Sequence, residues 1–153
     1  MLLKAPTFRA SYNEDGLFTN HNCSFILEKK FISAYKKHMD TGSSQNWDMR
    51  WRIHLLLWAS SVAKNIEGDF VECGSYLGGS ALAIADFIAF ETLDKKFYLS
   101  DTYTGLPEKI KKRHKYNNND YFKQVSDTFS HYKNIELVKG LLPNSLNQVS
   151  IEK

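Results

Sequence analysis

The stretch Asp69-Phe70-Val71-Glu72-Cys73-Gly74-Ser75-Tyr76-Leu77-Gly78-Gly79-Ser80-Ala81 decides how this 153-residue chain is read. Residues 69–73 make a short apolar strand candidate, and Gly74 to Gly79 a glycine-rich turn. From Ser80 to about Glu91 a helix is expected, with Leu82, Ile84, Ala85, Ile88 and Ala89 apolar. A strand that turns on glycines into a helix is a place where anions and nucleotides are held. The first helical amides lack intrahelical partners there, and glycine lets a ligand approach the backbone.

Working outward, Lys96-Phe97-Tyr98-Leu99-Ser100 reads as a second strand ending in Asp101. After a long polar stretch comes a helix in which Phe122, Val125, Phe129 and Tyr132 recur at helical spacing. Ile135 to Lys139 is a third strand, closed by Gly140. The β-α-β-α-β alternation predicts parallel strands with right-handed crossovers: an α/β, Rossmann-like sheet with flanking helices. Upstream, residues 1–24 are turn-rich (Asn13, Asp15-Gly16, Asn20, Asn22) and read as an arm. Leu27, Phe31, Tyr35 and Met39 stand four apart and predict a helix over about 25–39, broken by Thr41-Gly42-Ser43-Ser44. A second helix is expected from about Trp47 to Lys64, burying Ile53, Leu56, Leu57 and Ala63, with Gly68 ending the run. The expected organisation is an N-terminal arm and helices over 1–64 and an α/β portion over 65–153, together one structural domain.

Composition narrows the class. The chain is 42% apolar and 24% charged, which suits one domain with a core. No run approaches the ~18 apolar residues of a membrane span, and Met-Leu-Leu-Lys-Ala-Pro lacks the apolar core of a secretory signal, so a soluble cytoplasmic protein is expected. Two cysteines, Cys23 and Cys73, support neither a disulfide framework nor a zinc site, and Cys73 reads as a small buried apolar residue. Lys109, Lys111, Lys112, Arg113 and Lys115 form one basic run; without them the formal net charge falls from +3 to −2. A nucleic-acid binder spreads such charge over a face, so nucleic acid is not the expected partner. The run reads as a solvated loop or, more sharply, as a lid attracting an anionic acceptor. His21, His38, His54, His114 and His131 show no metal-ligand spacing, and His54 is expected to be a partnered residue in or near the core. Trp47, Trp51 and Trp58 read as helix core.

Three cofactor classes compete for the glycine turn. A P-loop needs Lys and Ser/Thr after its second glycine, and here Ser80-Ala81 follow. A dinucleotide fingerprint needs a central glycine where Tyr76 stands, and its acid would fall near Asp94, away from a strand end. S-adenosylmethionine (SAM) has no phosphate and tolerates a looser turn. Its ribose diol suits Asp101, whose two oxygens accept two hydroxyls, and its amino-acid head suits Glu72. Against all three stands the plain reading that Gly74, Gly78 and Gly79 serve only a tight turn.

Three motifs in order then carry a resemblance. Glu67-Gly68-Asp69-Phe70-Val71-Glu72-Cys73-Gly74 with its continuation to Ala81 resembles motif I of the macrocin O-methyltransferase (TylF) family. Ser100-Asp101-Thr102-Tyr103-Thr104-Gly105-Leu106-Pro107-Glu108 resembles that family's D-[ST]-[FY]-x-G-L-P-E segment. Val138-Lys139-Gly140-Leu141-Leu142-Pro143-Asn144-Ser145-Leu146 resembles the stretch after its third strand, and residues 16–35 are more loosely similar to family N-termini. The resemblance implies a class I methyltransferase fold and SAM as methyl donor. It also implies a magnesium-assisted transfer to a hydroxyl, typically on a sugar of a natural product or glycan. The implied cofactor contacts are Glu72, Gly74, Ser75, Tyr76, Gly78 and Ser80 at the turn. Asp101 and Thr102 follow at the ribose, and Gly140 and Leu141 near the adenine. Family members continue past Ile151-Glu152-Lys153 into a strand bearing an acidic metal site. On that comparison the magnesium ligands and the catalytic base fall outside this chain, and Phe70 to Cys73 becomes an exposed apolar edge that invites pairing. The expected partners are therefore a small-molecule or sugar hydroxyl acceptor and either a second copy or another chain that completes the sheet. The alternatives are a catalytically incomplete SAM-binding or assembly half-domain and, behind it, a nicotinamide-dependent oxidoreductase.

Overall fold

The computed structural model describes residues 9–105 and 120–152. The chain begins with a hairpin, β1 (Tyr12–Glu14) and β2 (Leu17–Thr19), and continues through a 3-10 turn at Ser24–Leu27 into α1 (Lys29–Asp40) and α2 (Arg50–Ala63). Then come β3 (Phe70–Cys73), α3 (Gly79–Ile88), a 3-10 turn at Phe90–Thr92 and β4 (Phe97–Asp101). The chain closes with α4 (Phe122–Phe129), β5 (Ile135–Lys139) and a 3-10 turn at Asn144–Gln148. β3, β4 and β5 form a parallel sheet in that order. With its flanking helices this is the α/β, Rossmann-like arrangement that the strand and helix alternation predicts.

The register explains the layers. Phe70 pairs with Phe97 and Glu72 with Leu99, which in turn faces Leu137, so one face presents these residues together. On that face Phe70, Phe90 and Phe97 pack ring against ring at 5.3–5.6 Å. The opposite face carries Val71, Cys73, Tyr98 and Ser100. It is covered over β4 by the C-terminal segment, where Ser100 Oγ meets Ser145 Oγ at 2.9 Å and Tyr98 donates to the Ser150 carbonyl at 3.0 Å. β4 is consequently buried from Phe97 to Ser100, as a central parallel strand should be. β3 has no second neighbour among the described residues. Val71 is 38% exposed and Cys73 is also exposed, so the expectation of a buried Cys73 is corrected by its place on the uncovered face of an edge strand. The final residues reach back to this strand: the Asp69 amide donates to the Glu152 carbonyl at 3.1 Å, and the Glu152 amide to Asp69 Oδ2 at 3.0 Å.

α3 is buried on several sides through Ala81, Ala83, Ile84, Ala85 and Ile88. Its small residues let α1 approach closely, with Phe31, Ala34 and His38 on the buried face of α1. The two helices are also tied by the Lys37–Asp86 ion pair and by Ser33 Oγ donating to Asp86 at 3.3 Å.

Several expectations need correction. The turn-rich opening is not a plain arm: Asp15 and Gly16, at φ +52° and +73°, make the left-handed two-residue turn of a hairpin. Leu27 is 76% exposed, because Glu28 takes an extended conformation and starts the α-helix afresh; the buried stripe becomes Phe31, Ala34 and His38. Trp47 precedes α2, and Trp47 and Trp58 are 64% and 65% exposed; Leu56 is exposed too. Among the described residues only one side of α2 has a neighbour to pack on, and Leu55, Trp58 and Val62 are exposed. Trp51 alone of the three joins the core, against Tyr12 and Phe25. His54 stacks on Phe25 at 3.8 Å, the boundary position expected of it. No described helix is long and apolar enough to cross a membrane. The basic run 109–115 lies outside the described residues.

Candidate functional site

The strand-to-helix turn after β3 is built from backbone that few residues can adopt. Gly74, Tyr76 and Gly78 have φ of +86°, +50° and +74°, and the left-handed region is disfavoured for a side chain as large as tyrosine. Two backbone bonds fix the turn: the Gly74 amide donates to the Ser100 carbonyl at 2.7 Å, and the Gly78 amide to the Ser75 carbonyl at 2.7 Å. The glycines differ in what surrounds them. A Cβ on Gly78 would lie 2.5 Å from the Phe129 ring, so Gly78 permits helix packing. A Cβ on Gly74 would meet nothing within 4 Å. That open side is the floor of a cavity of about 430 Å³, within the usual range for small-molecule sites.

Asp101 clips this turn to β4. Its Oδ2 accepts from the Tyr76 amide at 2.9 Å and its Oδ1 from the Tyr103 amide at 2.8 Å, with Thr102 Oγ1 at 3.3 Å. Each oxygen keeps further acceptor capacity, and Asp101 lines the cavity with Gly74, Tyr76 and Gly105. Behind it, Glu72 Oε2 is buried and has no hydrogen-bond partner among the described residues. Burial pushes the Glu72 carboxyl up from 4.5 to about 7, with the nearby Asp101 charge adding to the effect. Ser75 is buried and donates to the Tyr103 hydroxyl at 3.2 Å, while that hydroxyl donates to the Leu99 carbonyl at 2.6 Å. Burial holds the Tyr103 phenol up at about 12, so it stays a donor.

The other wall comes from the N-terminal half: Asp15, Ser43, Gln45, Trp47, Met49 and Arg52. Ser43 Oγ accepts from the Gly79 amide at 3.0 Å, which satisfies an orphan donor at the start of α3. Gln45 Nε2 reaches the Tyr76 hydroxyl at 3.4 Å. Arg52 grips Asp15 through two bonds of 2.9 and 2.8 Å. This wall is absent from the reading of the motifs. The Asp15-Gly16 turn signal and the helix break at Thr41-Gly42-Ser43-Ser44 are its local traces, since nothing in the sequence alone brings Arg52 or Trp47 to the glycine turn.

Of the residues named from the sequence, Gly74, Tyr76 and Asp101 meet at the cavity, and Glu72, Ser75 and Thr102 stand in contact behind or beside them. Gly78 and Ser80 sit at the start of α3. Gly140 lies at the end of β5, its amide donating to the Asp101 carbonyl at 2.9 Å, and Leu141 beyond it is exposed; neither lines the cavity. No group of three His, Cys, Asp or Glu among the described residues could hold a metal ion.

With this geometry established, residues 51–153 match the family described as Macrocin-O-methyltransferase (TylF). The chain belongs to the TylF family. Its matched region runs from α2 through the glycine turn to the last residue, so the sheet wall falls entirely inside it. Asp15, Ser43, Gln45 and Trp47 precede it. No curated protein matches the chain. Family membership makes the chain an O-methyltransferase family member and hence an enzyme at the family level.

Proposed function

We propose that the cavity binds SAM and that the chain carries the cofactor-binding part of an O-methyltransferase acting on a hydroxyl of a sugar, natural-product or glycan acceptor. The observation that carries this is Glu72: a buried carboxyl oxygen with no hydrogen-bond partner among the described residues, beside Asp101, at a glycine turn that has no lysine. An unpartnered buried polar group is costly, and a cationic, phosphate-free ligand relieves it. When bound, SAM supplies a methyl group made electrophilic by its sulfonium. Asp101 would hold the ribose hydroxyls with the lone pairs that the Tyr76 and Tyr103 amides leave free. Glu72, behind the lining residues, would orient the amino-acid head or its contacts, directly or through water, and Gly74 leaves the space that a side chain would occupy. The protein's contribution is then orientation and exclusion of water around an in-line approach of the acceptor oxygen. The described residues do not fit a magnesium site, and no step is assigned to that ion.

Calorimetric titration with S-adenosylhomocysteine, with NADH as control, tests this reading. Binding of the former alone is expected; binding of NADH alone would return the turn to the dinucleotide class. A second reading has its own observation: among the described residues β3 has a free edge with Val71 exposed, and α2 carries Leu55, Trp58 and Val62 exposed. On this reading the chain is a half-domain completed by a second copy or another chain. Sedimentation as a stable monomer at low micromolar concentration would count against it.

A further inference from the structure

Resting on the methyltransferase reading, we propose that Tyr103 is a positioning residue whose buried hydroxyl aligns the Asp101 carboxylate for the ribose of the cofactor. Asp101 sits between two tyrosines, one from each turn that meets at the cavity. The Tyr76 amide donates to its Oδ2 at 2.9 Å and the Tyr103 amide to its Oδ1 at 2.8 Å. Both tyrosines are left-handed, at φ +50° and +56°. Glycine takes such a position without strain, whereas a tyrosine stays there only because its surroundings hold it. The two amides are therefore aimed by side-chain contacts, and together they fix the rotation of the carboxylate.

The two tyrosines are held differently. Tyr76 borders the cavity, and its ring rests edge-on against Tyr121 at 5.3 Å. Tyr103 is 1% exposed. Its hydroxyl donates to the Leu99 carbonyl at 2.6 Å, within β4, and accepts from Ser75 Oγ at 3.2 Å, within the glycine turn. Its carbonyl accepts from the Tyr121 amide at 2.8 Å. One phenol thus ties the turn after β3 to the strand that carries Asp101, and linked hydrogen bonds of this kind strengthen one another. A phenyl ring would fill the same space. The hydroxyl adds direction, which a carboxylate needs if its two oxygens are to meet two adjacent hydroxyls.

The test compares S-adenosylhomocysteine with its 2′-deoxy analogue by calorimetry, on the whole chain and on Tyr103→Phe. The parent is expected to prefer the intact ribose by about tenfold, the worth of one hydrogen bond to a charged group. In Tyr103→Phe that preference should fall to about twofold as the carboxylate loses its alignment, with binding of the deoxy analogue unchanged. A merely structural residue would weaken both ligands alike, and that result would overturn the proposal. So would a preference that survives Tyr103→Phe, or a parent that binds both ligands equally. Amide hydrogen exchange on the unliganded chain reads the same alignment without a ligand. The Tyr76 amide should exchange faster in Tyr103→Phe, while the Gly74 amide, bonded to the Ser100 carbonyl, keeps its rate. Should S-adenosylhomocysteine fail to bind the parent, the cofactor reading falls and exchange alone decides. Faster exchange at Tyr76 then upholds the hold of the hydroxyl on Asp101, and an unchanged rate overturns it.

Discussion

The two walls of the cavity are held together by different kinds of force. The sheet wall is made of residues close in sequence or in register: Gly74, Tyr76 and Asp101 are joined by backbone bonds and by one carboxylate that spans two strand ends. The N-terminal wall gathers a hairpin turn, a loop and the first turn of α2. It depends on side-chain contacts such as Arg52 to Asp15, Tyr12 to the Asp48 carbonyl at 2.8 Å, and Ser43 to Gly79. Exposed ion pairs stabilise by about 0–1 kcal/mol, whereas the sheet wall opens only with the core behind it. The difference teaches that one side of the site is fixed by the fold and the other is free to adjust to what it binds.

The sharpest way to break this contrast is Gly78→Ala. The new methyl must enter a left-handed backbone position and would lie 2.5 Å from the Phe129 ring. A loss of about 4 kcal/mol is expected, from backbone strain plus overpacking. Urea unfolding should show it as a lowered midpoint common to all probes. A loss confined to the N-terminal half would mean that the sheet wall is not the rigid partner.

Glu72→Gln sharpens the contrast through pH. The Glu72 carboxyl titrates at about 7 in the folded chain against an ordinary 4.5. A raised acid pKa favours the protonated form in the fold, so this contribution is full below 4.5, declines as pH rises toward 7 and is gone above it. The variant should therefore be more stable than the parent at pH 8, by about 3 kcal/mol, and no more stable at pH 4. His38 acts with the opposite sign: burial lowers its pKa from 6.5, so its contribution is lost as pH falls. Comparing parent with variant in thermal melts across pH cancels the His38 part. An equal difference at both ends would mean that the Glu72 carboxyl does not titrate in this range.

What was legible in the sequence follows the same division. The strand, glycine turn and helix from Phe70 to Ile88 are local, so apolar pattern and glycine spacing suffice to find them. Asp101 is legible because a strand end is a position, not a contact. The hairpin escapes because two three-residue strands have almost no pattern, and only Asp15-Gly16 betrays them. Leu27 is misplaced because period-four counting cannot see Glu28 interrupt the helix. Trp47 and Trp58 look like core because apolar residues near helical spacing usually are, and the partner surface of α2 is a tertiary fact. Arg52 carries no signal at all: it matters only once the fold sets the hairpin turn opposite it. Glu72 was legible as an acid beside the turn, but its lack of a partner was not.

The smallest effect probes the seam between the walls. Ser43 Oγ accepts the Gly79 amide at 3.0 Å and lies 2.8 Å from Thr41 Oγ1. Ser43→Ala removes that acceptor at the first turn of α3, a loss of about 1 kcal/mol for one neutral hydrogen bond. His38 lies beside the same amide: a Cβ on Gly79 would be 2.7 Å from its Nδ1, an atom with no partner among the described residues. In the variant, neutral His38 is the acceptor that remains, and protonation takes that role away. The loss should thus be small at pH 8 and grow as pH falls through the lowered titration range of His38, whose burial resists charging. Hydrogen exchange resolves where it falls. Faster exchange at Gly79 and across residues 41–49, with β3 and β4 unchanged, is the outcome of two walls joined by a weak seam. Faster exchange through β3 and β4 as well would mean that both walls open as one unit, and the contrast drawn between them would fail.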